Sequence, residues 1–193
     1  MNKFTTSAVS TSANVRSLIA SYLSKSALGA AIAALFCLSA AMTSSVALAD
    51  NVAGDFSIGS NPNGDWSYGW SSTLGSTFNL DSSNTASAYG LSGLEGWFAN
   101  QSVTHEPSVV YNSTTNSIFQ PSFTTYQPGQ LALNLGGNYY SVVRWTAPSN
   151  GLYSVSATFS GLSAAGDSTD VHILLNNGST FNSTVFGSPS PTS

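Results

Sequence analysis

Three large aromatic residues, Trp66, Tyr68 and Trp70, alternate along one short segment. Successive side chains of an extended chain point to opposite faces, so the three rings share a face. Flat rings of this kind stack on the apolar faces of sugars, which makes the segment a candidate ligand-binding platform. Three rings at period two equally suit the core of a sandwich, and the burial of Trp66 and Trp70 separates the two readings. Trp97 and Trp145 read as core. Arg144 is the only lysine or arginine beyond position 25. With Val143 and Trp145 facing inward, its guanidinium faces outward and offers a two-pronged donor to a carboxylate. Asp170 is the expected partner, in a structural ion pair between strands. A clamp for a carboxylated or hydroxyl-rich ligand is the competing account.

Metal-binding and catalytic residue types are sparse. Asn61, Asn63 and Asp65 alternate like the first ligands of a calcium loop, Gly64 allows the turn, and Asp167 and Asp170 could add oxygens. No glutamate closes such a loop, since the next is Glu95, so an Asx-rich turn is preferred and no metal or cofactor is expected. Glu95 and Glu106 are the only glutamates. As an acid/base pair for glycoside hydrolysis they would need to stand about 5–10 Å apart in a cleft. His105 adjoins Glu106 and His172 stands alone, neither in a His-Glu-x-x-His setting, and no Gly-x-Ser-x-Gly occurs. The residues point away from an enzyme, with an envelope glycosidase as the distant alternative.

The elements that must position these residues are strands. Residues 50 to 193 hold 27 Ser, 14 Thr, 14 Asn and 16 Gly beside 8 Phe, 7 Tyr and 4 Trp. The first group lowers helix content, the second suits a pleated, half-buried surface, and so many aromatics argue against disorder. Gly151–Gly161 is the clearest strand, with Tyr153, Val155, Ala157 and Phe159 on one face and hydroxyl residues on the other. Thr169–Leu175 repeats the pattern with Val171, Ile173 and Leu175 inward. Leu131–Leu135 and Tyr140–Thr146 follow it, and weaker segments lie near 55–58, 66–71, 77–81, 96–99, 108–112 and 179–186. Short strands between Gly, Pro and Asn turns predict an all-β fold, an antiparallel β-sandwich of jelly-roll type over residues 50–186. A polar, Pro-broken and disordered tail is expected over 187–193.

The N-terminus reads as a targeting segment. Residues 1–25 carry Lys3, Arg16 and Lys25 without an acid, a 16-residue apolar run follows from Ala27 to Met42, and Ala47-Leu48-Ala49 closes it. That order predicts a helical secretory signal peptide over 1–49, cleaved before Asp50; the run is short for a membrane span. Cys37 leaves with it, so the mature chain has no thiol and no disulfide framework. One arginine against eight acidic residues gives the mature chain a formal charge of −7. Such a charge repels phosphate backbones and excludes nucleic acid as a partner.

Asp55-Phe56-Ser57 and Asn61-Pro62-Asn63-Gly64-Asp65-Trp66-Ser67-Tyr68-Gly69 resemble the opening of a β-sandwich domain of secreted bacterial proteins of the PEP-CTERM, exosortase-sorted type. Ser141–Pro148, Gly151–Val155, Phe159–Leu162 and Thr169–Ile173 are similar to its middle, and the resemblance spans roughly 53 to 186. It implies association with exported polysaccharide and a C-terminal Pro-Glu-Pro motif, membrane span and basic tail. None of these C-terminal features occurs here, so the sequence reads as a domain truncated before the sorting signal, its sandwich incomplete at the C-terminal edge. Residues and resemblance together predict a secreted, periplasmic or extracellular, non-catalytic structural or interaction module. Its setting would be the cell envelope or polysaccharide matrix, with no membrane span in the mature chain. The alternative is a carbohydrate-binding module.

Overall fold

The computed structural model describes residues 6–10, 50–100, 107–121, 124–136, 139–149, 153–163 and 167–187. The strands within them are β1 (Thr6–Ser10), β2 (Trp66–Ser71), β3 (Asn79–Leu80), β4 (Ser83–Thr85), β5 (Leu94–Phe98), β6 (Ser108–Asn112) and β7 (Ile118–Gln120). They continue with β8 (Thr124–Tyr126), β9 (Leu131–Asn134), β10 (Tyr140–Trp145), β11 (Thr158–Gly161), β12 (Ser168–Leu175) and β13 (Gly178–Phe186). A 3₁₀ turn at Ala88–Gly90 is the one helical element among the described residues. A six-stranded sheet runs β11-β1-β9-β6-β5-β4, a three-stranded sheet runs β10-β2-β3, and β7–β8 and β12–β13 form separate hairpins. Every pairing among the described residues is antiparallel, and their architecture is all-β.

Period-two side chains give the six-stranded sheet two buried faces. Register sets Trp97 opposite Val109, and Val109 opposite Leu133, on one face; Gly96, Val110 and Ala132 align on the other. The first face packs on the three-stranded sheet, where Val52, Trp66, Tyr68, Trp97, Val109 and Leu131 form one core, flanked by Val143 and Trp145. The second face buries Leu94, Phe98, Val110 and Ala132 beneath Ala88 of the 3₁₀ turn and Tyr126 of β8. Buried apolar area is the main favourable term in folding, and both cores are built from it.

The hairpin β12–β13 turns at Asn176 and Asn177, both at positive φ (50° and 68°), the geometry of a two-residue hairpin turn that favours Asn and Gly. Phe159 of β11 stacks on Phe181 of β13, with ring centroids 6.2 Å apart. A Cβ on Gly161 would meet the Phe186 carbonyl carbon at 2.4 Å, so the ends of β11 and β13 touch backbone to backbone.

Several expectations change. Of the segment expected as the clearest strand, Gly151–Gly161, the described residues form a strand over Thr158–Gly161, and Val155 is exposed, because no described strand pairs with 153–157. Residues 55–58 form turn and bend rather than strand, held by Asp55 N–H donating to the Asn51 carbonyl at 2.8 Å. Leu175 of β12 is exposed rather than inward, since it is the last strand residue before the hairpin turn. Most of the expected leader and residues 188–193 lie outside the described residues. Within the leader Thr6–Ser10 is a strand, and Gly187 is fixed by its N–H donating to the Asp167 carbonyl at 2.8 Å. Strands β4, β7 and β8 are too short, and too poor in alternating apolar residues, to have been read from the sequence.

Candidate functional site

The aromatic line on β2 divides between core and surface. Trp66 is 7% exposed and Tyr68 fully buried. The Trp66 indole donates to Asp55 Oδ2 at 3.3 Å, and Phe56 packs on Tyr68 with ring centroids 4.9 Å apart. Burial, with the Asp55 charge adding to it, pushes the Tyr68 hydroxyl well above its ordinary value. These two rings cannot reach a ligand, so the expected platform does not include them. Trp70, next to the last residue of β2, is half-buried and meets the ring of Tyr139 edge-on at 4.9 Å; Tyr139 is 44% exposed. Edge-on pairs of this spacing are favourable aromatic contacts. The surface available for stacking is therefore Trp70 with Tyr139, a residue whose position just ahead of β10 gave no signal in the sequence.

Arg144 is exposed and does not pair with Asp170. Its guanidinium lies over the ring of Phe78, 4.0 Å from the centroid. Phe78 reaches that place across Gly69, where a Cβ would stand 2.7 Å from Phe78 Cζ. The register explains the correction: alternation along β10 turns Val143 and Trp145 to the core and Arg144 outward, beside the chain entering β3. Asp170 meets the other end of β10 instead. Its Oδ2 takes His172 Nε2 at 2.8 Å and the Tyr140 hydroxyl at 3.3 Å. The His172 contact, ahead of the others, holds the Asp170 carboxyl below its ordinary value; burial, then Asp170, raises the Tyr140 hydroxyl. Asp170 and His172 are two apart on a strand and so share a face, a pairing signal present in the sequence at closer range than the arginine.

The loop before β2 is a turn whose side chains serve its own backbone. Asn61 Oδ1 accepts the Tyr68 N–H at 2.9 Å, and Asn61 Nδ2 donates to the carbonyls of Tyr68 at 2.7 Å and Asp81 at 3.1 Å. Asn63 Nδ2 donates to the Asp55 carbonyl at 2.7 Å. These contacts use the amides that a calcium loop would turn inward, in line with the preferred Asx-rich turn. Asp81, which the sequence did not mark, is 3% exposed, and neither carboxylate oxygen has a hydrogen-bond donor. Burial pushes its carboxyl up to about 7. Glu95 lies on β5 opposite Tyr111, while His105 and Glu106 lie outside the described residues, so the glutamate pair has one placed member. Asp50 is tied in as well, its Oδ2 accepting the Trp145 indole at 2.9 Å.

Among the described residues no helix is long and apolar enough to cross a membrane. No protein-family model, no curated protein and no solved structure matches this chain.

Proposed function

We propose that the chain is exported and that its mature part, a jelly-roll-type β-sandwich from Asp50 onward, serves as a non-catalytic structural or interaction module. Its setting is the cell envelope or extracellular polysaccharide matrix, in keeping with the PEP-CTERM resemblance. The observation that carries this reading is the position of Asp50. It follows the expected cleavage point directly, and its carboxylate already holds the Trp145 indole. Two residues on, Val52 is buried in the core. Both residues lie on the mature side of that point, although β1 of the expected leader pairs with β9 and β11 in the six-stranded sheet. N-terminal sequencing of the exported protein tests it: the mature chain starts at Asp50, and a chain retaining Cys37 would refute the reading.

One observation favours the carbohydrate-binding alternative within the same setting. Trp70 and Tyr139 present a paired aromatic edge, a surface type that stacks on sugars. Retention on immobilised polysaccharide that is lost in Trp70→Ala and Tyr139→Ala, with the melting temperature nearly unchanged, would support it. Equal retention by both variants would leave only the structural module.

A further inference from the structure

In the six-stranded sheet β1 pairs on one edge with β9 and on the other with β11. Ser7 stands between Leu133 and Gly161, Ala8 between Ala132 and Ser160, and Val9 between Leu131 and Phe159. All of β1 belongs to the segment expected to be cleaved at Ala49. Removing it takes out an interior strand, not an edge strand. Because β1 is antiparallel to both neighbours, β9 and β11 run parallel to each other, separated by two strand spacings, about 9–10 Å. They cannot hydrogen-bond across that gap, and closing it would need the slanted parallel pattern and a new register. With β1 in place Leu131 and Ala132 are fully buried, so its removal leaves an apolar strand with a long unpaired backbone edge. Unpaired N–H and C=O groups there are costly, so the slot calls for another strand.

We propose that the slot between β9 and β11 is a strand-acceptor site, which in the exported protein takes an uncharged extended segment of a second polypeptide. This rests on the processing reading. The chemistry of the occupant follows from what lines and fills the slot. Neither Leu131–Asn134 nor Thr158–Gly161 carries a charge, and the strand seated there is Thr-Ser-Ala-Val-Ser. A partner strand of small hydroxyl and β-branched residues matches this, with main-chain hydrogen bonds giving affinity and alternate side chains giving selectivity. The formal charge of −7 beyond the leader disfavours an acidic occupant.

The probe is a synthetic peptide of residues 4–12. It is offered to the full chain, to the full chain cut after Ala49 by leader peptidase, and to an uncut chain carrying Ser7→Pro with Ala8→Pro. Successive N–H groups of a strand point to opposite neighbours, so the two prolines disable pairing with both β9 and β11 without any cleavage. The peptide is expected to bind the cut chain and the proline variant at least about tenfold more tightly than the intact chain. Binding should protect the amides of 131–134 and 158–161 from hydrogen exchange, and a peptide with lysine at positions 7 and 9 should not bind. Protection of both strands without peptide at every protein concentration would overturn the proposal, because the fold would then close on itself. Protection that rises with protein concentration and resists the peptide would overturn it in favour of a second copy of this chain. If leader peptidase leaves the chain intact the processing reading falls, and with it the vacant slot in the exported protein; the proline variant still reports separately whether the slot accepts a strand.

Discussion

Two regions of the molecule show equally regular alternation in sequence and opposite outcomes in space. On β2, Trp66, Tyr68 and Trp70 alternate with small residues, and five of the six strand residues are buried. On β12 the alternation of Val171 and Ile173 ends with Val171 buried and Ile173 half-buried, whereas on the paired strand β13 all but Val185 are exposed. Phe181 is 45% and Phe186 69% exposed. Alternation records which face a strand would bury; whether a second sheet covers that face is decided by the rest of the chain. The three-stranded sheet has such a cover, whereas among the described residues β13 meets the edge of β11 and the hairpin turn meets the loop at Gly75.

The largest effect that sharpens this contrast comes from truncating a ring in each region. Trp66→Ala removes a buried side chain and its indole hydrogen bond to Asp55, and should cost about 3–5 kcal/mol. Phe186→Ala, on an exposed ring, should stay within about 0.5 kcal/mol. Chemical denaturation of both variants measures the difference. Equal losses would mean that the hairpin is covered in solution.

Two carboxylates extend the comparison to pH. Asp81 lies in the chain that crosses from the three-stranded to the six-stranded sheet, without a donor on either oxygen, and burial raises its carboxyl from 3.8 to about 7. A carboxyl raised in the fold favours folding only while it is neutral. Its contribution is therefore intact below pH 3.8, declines as pH rises towards 7, and is lost above, a change on the order of 4 kcal/mol. Asp81→Asn should flatten that slope in urea melts between pH 4 and about 8; an unchanged slope would show that Asp81 finds a donor in solution. Asp170 has the opposite sign. Its lowered carboxyl stabilises the fold above its ordinary value and loses that effect as pH falls below it, weakly, because its side chain is half exposed.

How much was legible follows from the same contrast. Strands β2 and β6 fall on the segments expected from the sequence, because each has apolar residues on its core face and a neighbour on either side. The all-β class was legible from composition alone. Tyr153–Ala157 alternates as well as any segment and forms no strand, and the pairing of Thr6–Ser10 has no signature in a polar, uncharged run. The site residues were legible by face but not by partner. Arg144 faces outward as alternation requires, but Phe78 stands beneath it, and Asp170 belongs to His172, two residues along its own strand.

Glycines give an intermediate test. A Cβ at Gly69 would stand 2.1 Å from the Asn79 carbonyl oxygen, a backbone atom of the paired strand, whereas at Gly178 the nearest atom is 3.4 Å away. Gly69→Ala should therefore cost about 1–3 kcal/mol as β2 and β3 are forced apart. Gly178→Ala, in the hairpin, should change stability by less than about 0.5 kcal/mol. Thermal melts of the two variants suffice, and similar melting temperatures would mean that β3 yields without cost.

The smallest effect is expected at Arg144, where a sequence reading alone would place a large one. Breaking a buried ion pair costs about 3–5 kcal/mol because a charge is left without a partner. Among the described residues no carboxylate pairs with Arg144: Asp170 is served by His172 and Tyr140, and the guanidinium rests on Phe78 in contact with solvent. What Arg144→Ala removes is a cation–π contact at an exposed site, about 0.5–1 kcal/mol, together with the packing of its aliphatic stem on the ring. Arg144→Lys should recover part of this, since a lysine keeps the charge over the ring but not the planar stacking. The Phe78→Leu variant separates the terms further. It keeps an apolar surface under the side chain and removes the ring quadrupole, so Arg144→Ala in that background should cost less than in the native protein. A double-mutant cycle measures the difference directly, and a coupling near zero would mean that the guanidinium and the ring only lie side by side.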